Sequence, residues 1–233
     1  LTMQGRYQEA EELLRESLDV RRAVYGRSHL EIARGLHFLA MNSYDQGEHG
    51  VAESMLRDAI AMQRRLLDGR PHPALSDSLN NLALILWDAD EFDQVETLYR
   101  EALAMNRALY DEAHPTVTVT LNNLAFVLHD KGDYTAAEAQ FRDVIRLRRA
   151  THGDNHPDVA RAMNNLAFLL YDKGEHGAAV ELAKDSLAMY QRLFPEGHPE
   201  VATTLTNLSR WLIVDGDHAR AESMLVESLE MQR

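Results

Sequence analysis

The chain has no cysteine among its 233 residues, which excludes a disulfide framework, a thiolate metal centre and a cysteine nucleophile. Nothing in it demands an oxidising compartment, and the expected setting is the cytoplasm. Positive charge is scarce as well. Lys and Arg number 24 against 37 Asp and Glu, and the net charge of -13 argues against a nucleic-acid or anionic-membrane partner, since both call for clustered cations. A basic or neutral partner is easier to accommodate. Long uncharged apolar runs and a basic-then-apolar leader are also missing, so neither a membrane span nor an export signal is expected within these residues. What is present is a composition of 45% hydrophobic and 26% charged residues, enough apolar material for a long continuous core.

His-Pro recurs at His72-Pro73, His114-Pro115, His156-Pro157 and His198-Pro199, each 42 residues after the last. The same step carries Asn80-Asn81-Leu82-Ala83 onto Asn122-Asn123-Leu124-Ala125, Asn164-Asn165-Leu166-Ala167 and the altered Thr206-Asn207-Leu208-Ser209. Toward the N-terminus, Leu39-Ala40 reaches Leu82-Ala83 by a step of 43, because the loop Asp68-Gly69-Arg70-Pro71 holds one extra residue. A fixed period of this size marks stacked supersecondary units, none of which buries its apolar face alone.

Within a unit the spacing is helical. Leu121, Leu124, Ala125 and Leu128 fall at i, i+3, i+4 and i+7, one stripe of an amphipathic first helix. Pro115 suits the first turn, where an N–H would have no partner, and Gly132 supplies a left-handed residue at the helix end. Tyr134, Ala137, Phe141, Val144 and Ile145 form the stripe of a second helix that runs to about Arg149. Acids at its start and arginine pairs at its end (Arg21-Arg22, Arg64-Arg65, Arg148-Arg149) match the helix macrodipole. Ala10, Ala52, Ala137, Ala179 and Ala221 recur where the two helices should cross, with Val95 as the exception.

The pattern Leu121-x2-Leu124-Ala125-x2-Leu128 followed by Ala137-x3-Phe141 resembles the tetratricopeptide signature. The long period, His-Pro-x-Val-Ala and Leu-Asn-Asn-Leu-Ala look like the kinesin-light-chain type. The resemblance implies an all-α, right-handed superhelical solenoid of antiparallel helix hairpins. Counting gives about five and a half repeats: a lone second helix in 1–28, then 29–71, 72–113, 114–155, 156–197 and 198–233. No polar cap is visible at either end, so the chain reads as a segment of a larger protein or as one whose ends pack on something.

The resemblance further implies a concave wall lined by the first helices, where extended or helical peptides are held. On a helical wheel the wall carries one row of Met41, Leu84, Phe126 and Phe168 and another of Tyr44, Trp87, His129 and Tyr171. An exposed apolar, aromatic strip signals binding, and packing against the next hairpin is the alternative. Asn80, Asn122 and Asn164, with Asn81, Asn123 and Asn165 at the margin, can donate and accept at once and so clamp a peptide backbone, or else satisfy a neighbouring helix end. Arg34, Arg161 and Arg210 are the wall's cations, suited to acidic side chains on a ligand.

Equivalent histidines in successive repeats should lie at least about 10 Å apart, too far to share a metal ion, and belong to a loop or cap. No phosphate loop, dinucleotide fingerprint, nucleophile elbow or His-Glu-x-x-His occurs, so no catalytic residue, metal or cofactor is expected. The leading expectation is a scaffold that binds a protein or peptide. Alternatives are the regulatory arm of a larger bacterial signalling protein, such as a kinase or nucleotide-switch ATPase, and a structural module that self-associates through its ends.

Overall fold

The computed structural model describes residues 3–195, 198–214 and 216–231. Among them the chain is helical throughout: α1 (Met3–Tyr25), α2 (Leu30–Asp45), α3 (His49–Leu67), α4 (Pro73–Trp87), α5 (Phe92–Leu109), α6 (Pro115–Asp130), α7 (Tyr134–His152), α8 (Pro157–Asp172), α9 (His176–Leu193), α10 (Pro199–Val214) and α11 (His218–Met231). The even-numbered helices are the first helices of the hairpins and the odd-numbered ones are the second. No described helix is long and apolar enough to cross a membrane.

Each first helix starts the same way. The Nδ1 of the histidine before it accepts the N–H two residues on, at 3.2 Å for His29, 3.1 Å for His72, 3.2 Å for His114, 3.1 Å for His156 and 3.2 Å for His198, and the backbone is extended at His29, His72 and His156. The repeated histidines are N-caps that satisfy one of the orphan donors of a helix start. In four of the five, a ring four residues earlier stacks on the cap: Tyr25 on His29, Tyr110 on His114, His152 on His156 and Phe194 on His198, with centroids 4.0–4.5 Å apart. His72 is the exception. Four residues before it stands Asp68, left-handed at φ 48°, in the loop that holds the extra residue.

The hairpin turns are also uniform. Gly132 sits at φ 79°, its N–H donates to the His129 carbonyl at 2.8 Å, and the Asp133 N–H reaches back to Leu128 at 2.9 Å. Gly47 and Gly174 repeat this, and Asp90 adopts the same left-handed conformation at φ 59°.

Two compact units divide the chain at Thr120 and Leu121, inside α6. In the first, α1 to α5 pack in sequence, around buried residues that include Ala52, Leu56, Leu79, Leu86, Val95 and Tyr99. In the second, α7 to α11 pack the same way, with Ala137, Phe141, Leu169, Ala179, Tyr190 and Leu208 inside. The alanines expected at the helix crossings are buried at 52, 137, 179 and 221, while Ala10, on the edge helix α1, is half-buried. A second row of small residues allows close approach between hairpins. Gly35 on α2 is the extreme case, where a Cβ would stand 2.8 Å from Leu18 of α1. Ser78, Thr120, Ala162 and Thr204 hold that place in later repeats and all are buried.

Candidate functional site

The expected wall residues lie on the first helices, and those whose contacts are resolved mostly reach a neighbouring hairpin or helix. In the first unit the Tyr44 hydroxyl on α2 donates to Asp88 after α4, at 2.8 Å. Burial raises the Tyr44 pKa above its ordinary value, and Asp88 raises it further. Asn81 Nδ2 meets His37 Nε2 at 3.2 Å, and His37 Nδ1 meets Ser78 Oγ at 3.1 Å. Ser78 Oγ donates to the Ala74 carbonyl, so the His37 Nδ1–H must donate to Ser78 and Nε2 must accept from Asn81. That wiring holds the ring neutral, in agreement with burial lowering its pKa. Asn80 donates to the Ser76 carbonyl at 2.9 Å and accepts from Thr120 at 3.4 Å. Trp87 packs edge-on to Tyr99, 6.3 Å between centroids. Met41 is half-buried, Leu84 is exposed, and Arg34 lies over Phe38 at 5.5 Å.

In the second unit Asn165 on α8 donates to Asn122 on α6 at 2.9 Å. His129 Nε2 faces Asp172 at 2.8 Å, and its ring lies 5.4 Å from Phe168. Phe126 meets Phe141 edge to face at 5.0 Å, and Tyr171 stacks on Trp211 of α10 at 4.9 Å. Asn123 is half-buried. Asn164 is buried, and its Oδ1 has no partner. Arg161 pairs with Asp158, and Arg210 is exposed. Among the described residues, Asn80 bonds a carbonyl of its own helix, and Asn81, Asn122 and Asn165 bond side chains of neighbouring first helices. Asp88 and Asp172 receive the Tyr44 and His129 bonds.

A further set of residues was not singled out from the sequence. Arg21, Gln63, Asn106, Arg148 and Tyr190 occupy one place in successive second helices, facing the next first helix. Arg21 donates to the Glu31 carbonyl at 3.3 Å, Gln63 Nε2 to Ala74 at 3.0 Å and Arg148 to Asp158 at 2.9 Å. Asn106 accepts from Ser76 at 2.7 Å and donates to Thr120 at 3.1 Å. Gln63 and Asn106 are almost fully buried. A polar side chain at this depth is tolerated because it binds a backbone or hydroxyl group at the start of a first helix. The first arginine of the pairs at 21 and 148 is therefore a strut between hairpins, which the macrodipole reading did not foresee. The signal was a polar residue recurring at the repeat period inside an apolar stripe.

Among the described residues, one group brings metal-capable atoms together: His152, His156 and Asp158, with ligand atoms within 4.8 Å of one another. The spacing of equivalent histidines does not bear on it, since the three flank one joint, at the end of α7, in the following loop and at the start of α8. His156 Nδ1 is occupied by the Asp158 N–H, Asp158 pairs with Arg161, and the stacked rings repeat the arrangement at Tyr25–His29 and Tyr110–His114. The helix cap accounts for the cluster.

Stacked hairpins whose first helices carry hydrogen-bonded polar residues beside aromatic rings define a helical-repeat scaffold. Tetratricopeptide repeat profiles match residues 1–65 and 116–192, and a second profile of that description matches 75–116 and 201–233. The chain belongs to the tetratricopeptide repeat family. No curated protein matches it significantly. Among solved structures, BtubC (BKLC) from P. vanneervenii is 22% identical, with 97% of this chain and 91% of that one covered and a TM-score of 0.80. The kinesin light chain nearly identical TPR-like repeats of Podospora anserina are 21% identical, covering 88% and 97%, with a TM-score of 0.75. A Rap protein complexed with competence and sporulation factor is 13% identical, covering 91% of this chain and 58% of that one, with a TM-score of 0.65. The first two likenesses show a kinesin-light-chain-like repeat fold, and the third a similar fold alone. Tetratricopeptide arrays are typically protein-interaction scaffolds without catalysis.

Proposed function

We propose that the chain holds a peptide or protein segment along the exposed face of its first helices. The observation that carries this reading is apolar exposure on wall positions: Leu84 is 37% exposed, Val119, on the helical face of Asn122 and Phe126, 51%, and Ile213, one period after Tyr171, 43%. Such side chains on a face beside the core stripe call for an apolar partner. The hydrogen-bonded residues around them, His37–Asn81 and Asn122–Asn165, act as a preorganised polar frame that loses little entropy when a ligand binds. The Rap structure, complexed with competence and sporulation factor, supports the view that a fold of this kind accommodates a bound partner. Lack of cysteine favours the cytoplasm as the place of action.

Isothermal titration against a random nonapeptide library tests the reading. Leu84→Glu and Val119→Glu, both surface changes, should abolish binding while leaving the thermal melt in place. Unchanged binding in both variants would overturn it.

A second reading, self-association, is favoured by a specific observation. Leu13, Val20 and Val24 on α1 are 67%, 58% and 68% exposed, and Val226 and Leu229 on α11 are 50% and 58% exposed. Sedimentation at rising concentration should then show mass above the monomer. A constant monomer mass excludes it.

A further inference from the structure

Between α2 and α4, above α3, lies a cleft of about 380 Å³ whose lining includes Leu30, Arg34, His37, Phe38, Gln63 and Asp77. Its polar groups are unevenly satisfied. Gln63 is 1% exposed, its Nε2 is committed to the Ala74 carbonyl, and its Oε1 has no donor. An acceptor left unmatched at this depth is costly and calls for a donor. Asp77 makes no ion pair with any described residue. The two groups nearest in charge do not offset it: His37 is wired neutral, and His72 uses its Nδ1 as the helix cap. Crowding by the surrounding protein raises the Asp77 carboxyl above its ordinary pKa. Glu31, the other acid in the lining, is already engaged by Arg21 at 2.5 Å and by Arg34 at 3.7 Å.

The equivalent place in the second unit is built with opposite charge. There Arg148 stands for Gln63, Arg161 for Asp77 and Asn122 for His37. Arg161 pairs with Asp158, and Arg148 donates to the Asp158 carbonyl, so no acceptor is left over. Asn164 Oδ1 is unmatched as well, but Thr203 stands at the Asp77 place beside it, so an unmatched amide oxygen together with an acid belongs to the α2–α4 cleft.

We propose that this cleft is a subsite for one basic side chain, arginine or lysine, of the segment held on the first-helix face. Asp77 is its ion-pair partner and the Gln63 oxygen its second acceptor. The proposal rests on the peptide-binding reading above and adds to it the charge of one ligand residue. A guanidinium or ammonium supplies donors to both oxygens, and the guanidinium does so from one planar fork. Leu30 and Phe38, which is 40% exposed, offer apolar surface for the methylene stem. A basic ligand residue also agrees with the net charge of -13.

The test is an amide NMR titration of the whole chain with N-acetyl-arginine methylamide, and with N-acetyl-norleucine methylamide as the uncharged control. The arginine probe should shift the amides of residues 30–38 and 72–78 saturably, and the norleucine probe should not. Asp77→Asn should weaken the arginine probe roughly tenfold, and Gln63→Met by a smaller factor, as loss of a charged and a neutral acceptor respectively. Asp77 is exposed and unpaired, so its replacement should leave the melt unchanged and isolates the effect even if Gln63→Met destabilises the fold. Equal response to the two probes, or unchanged affinity in Asp77→Asn, overturns the subsite. The Leu84→Glu and Val119→Glu variants separate this from the wider reading: they should leave the arginine probe unaffected while abolishing peptide binding. If the probe is captured at Asp77 but both variants bind peptides normally, the face reading fails and the subsite stands.

Discussion

Gln63 with Asp77 in the first unit and Arg148 with Arg161 in the second occupy the same two places in the repeat, yet one pair presents acceptors and the other donors. The surrounding helices, caps and turns are alike. The repeat therefore dictates where a side chain stands, and the residue at that place dictates what it can bind. Core positions show the opposite behaviour. Leu79 and Leu121, one period apart and on either side of the unit boundary, are both fully buried and chemically identical.

The largest expected effect tests that sameness. Leu79→Ala and Leu121→Ala should each cost about 2–5 kcal/mol, read as a shift in urea midpoint, because each leaves a cavity in a packed core. If one shifts the midpoint and the other does not, the two cores are not equivalent.

The struts should differ where the cores agree. Arg148→Met removes a buried charged donor to the Asp158 carbonyl and should cost about 1.5–3 kcal/mol, whereas Gln63→Met, which also removes an unmatched oxygen, should cost only about 0.5–1.5 kcal/mol. Equal costs would erase the distinction.

A third test uses alkali. Tyr190, at the strut position of α9, has its pKa raised, first by burial and then by Glu200. The folded state thus keeps the phenol proton after the unfolded chain begins to lose it near pH 10. The associated stability is complete below that pH and falls as pH rises toward the folded value. Tyr190→Phe should flatten this part of the stability–pH curve measured by urea titration, and an unchanged slope would show that another group is responsible.

The smallest effect concerns a turn. Asp90 is left-handed where Gly47, Gly132 and Gly174 stand in other repeats, so Asp90→Gly should raise stability by up to about 1 kcal/mol in a thermal melt. A fall would show that the Asp90 side chain has a role of its own.

Local features were legible in the sequence. His72-Pro73 and its equivalents mark helix starts because a cap and a first-turn proline act within a few residues, and Gly132 marks an end for the same reason. The wall rows were legible as rows, since helical periodicity places Tyr44, Trp87, His129 and Tyr171 on one face. Their partners were not. Asp88 receives Tyr44 and Trp211 receives Tyr171 only because one hairpin packs on the next, and no spacing within a hairpin states that distance. The polar residues at 21, 63, 106, 148 and 190 were visible at the repeat period, but each resembles an ordinary surface residue until the next helix is laid over it.

The joints between hairpins carry a consequence for assembly. Near-identical units risk docking on the wrong neighbour as the chain folds. Here a hydroxyl meets a carboxylate at Tyr44–Asp88, an imidazole meets one at His129–Asp172, and two flat rings meet at Tyr171–Trp211. Asp88, Asp130 and Asp172 hold one place in the repeat, so Tyr44 or His129 would meet a carboxylate at a wrong joint too, whereas Trp211 stands where earlier repeats have Ile85, Val127 and Leu169. The Tyr171–Trp211 joint thus carries an address that the carboxylate joints lack, and a chain built from copies of a single hairpin would keep the scaffold but lose that mark.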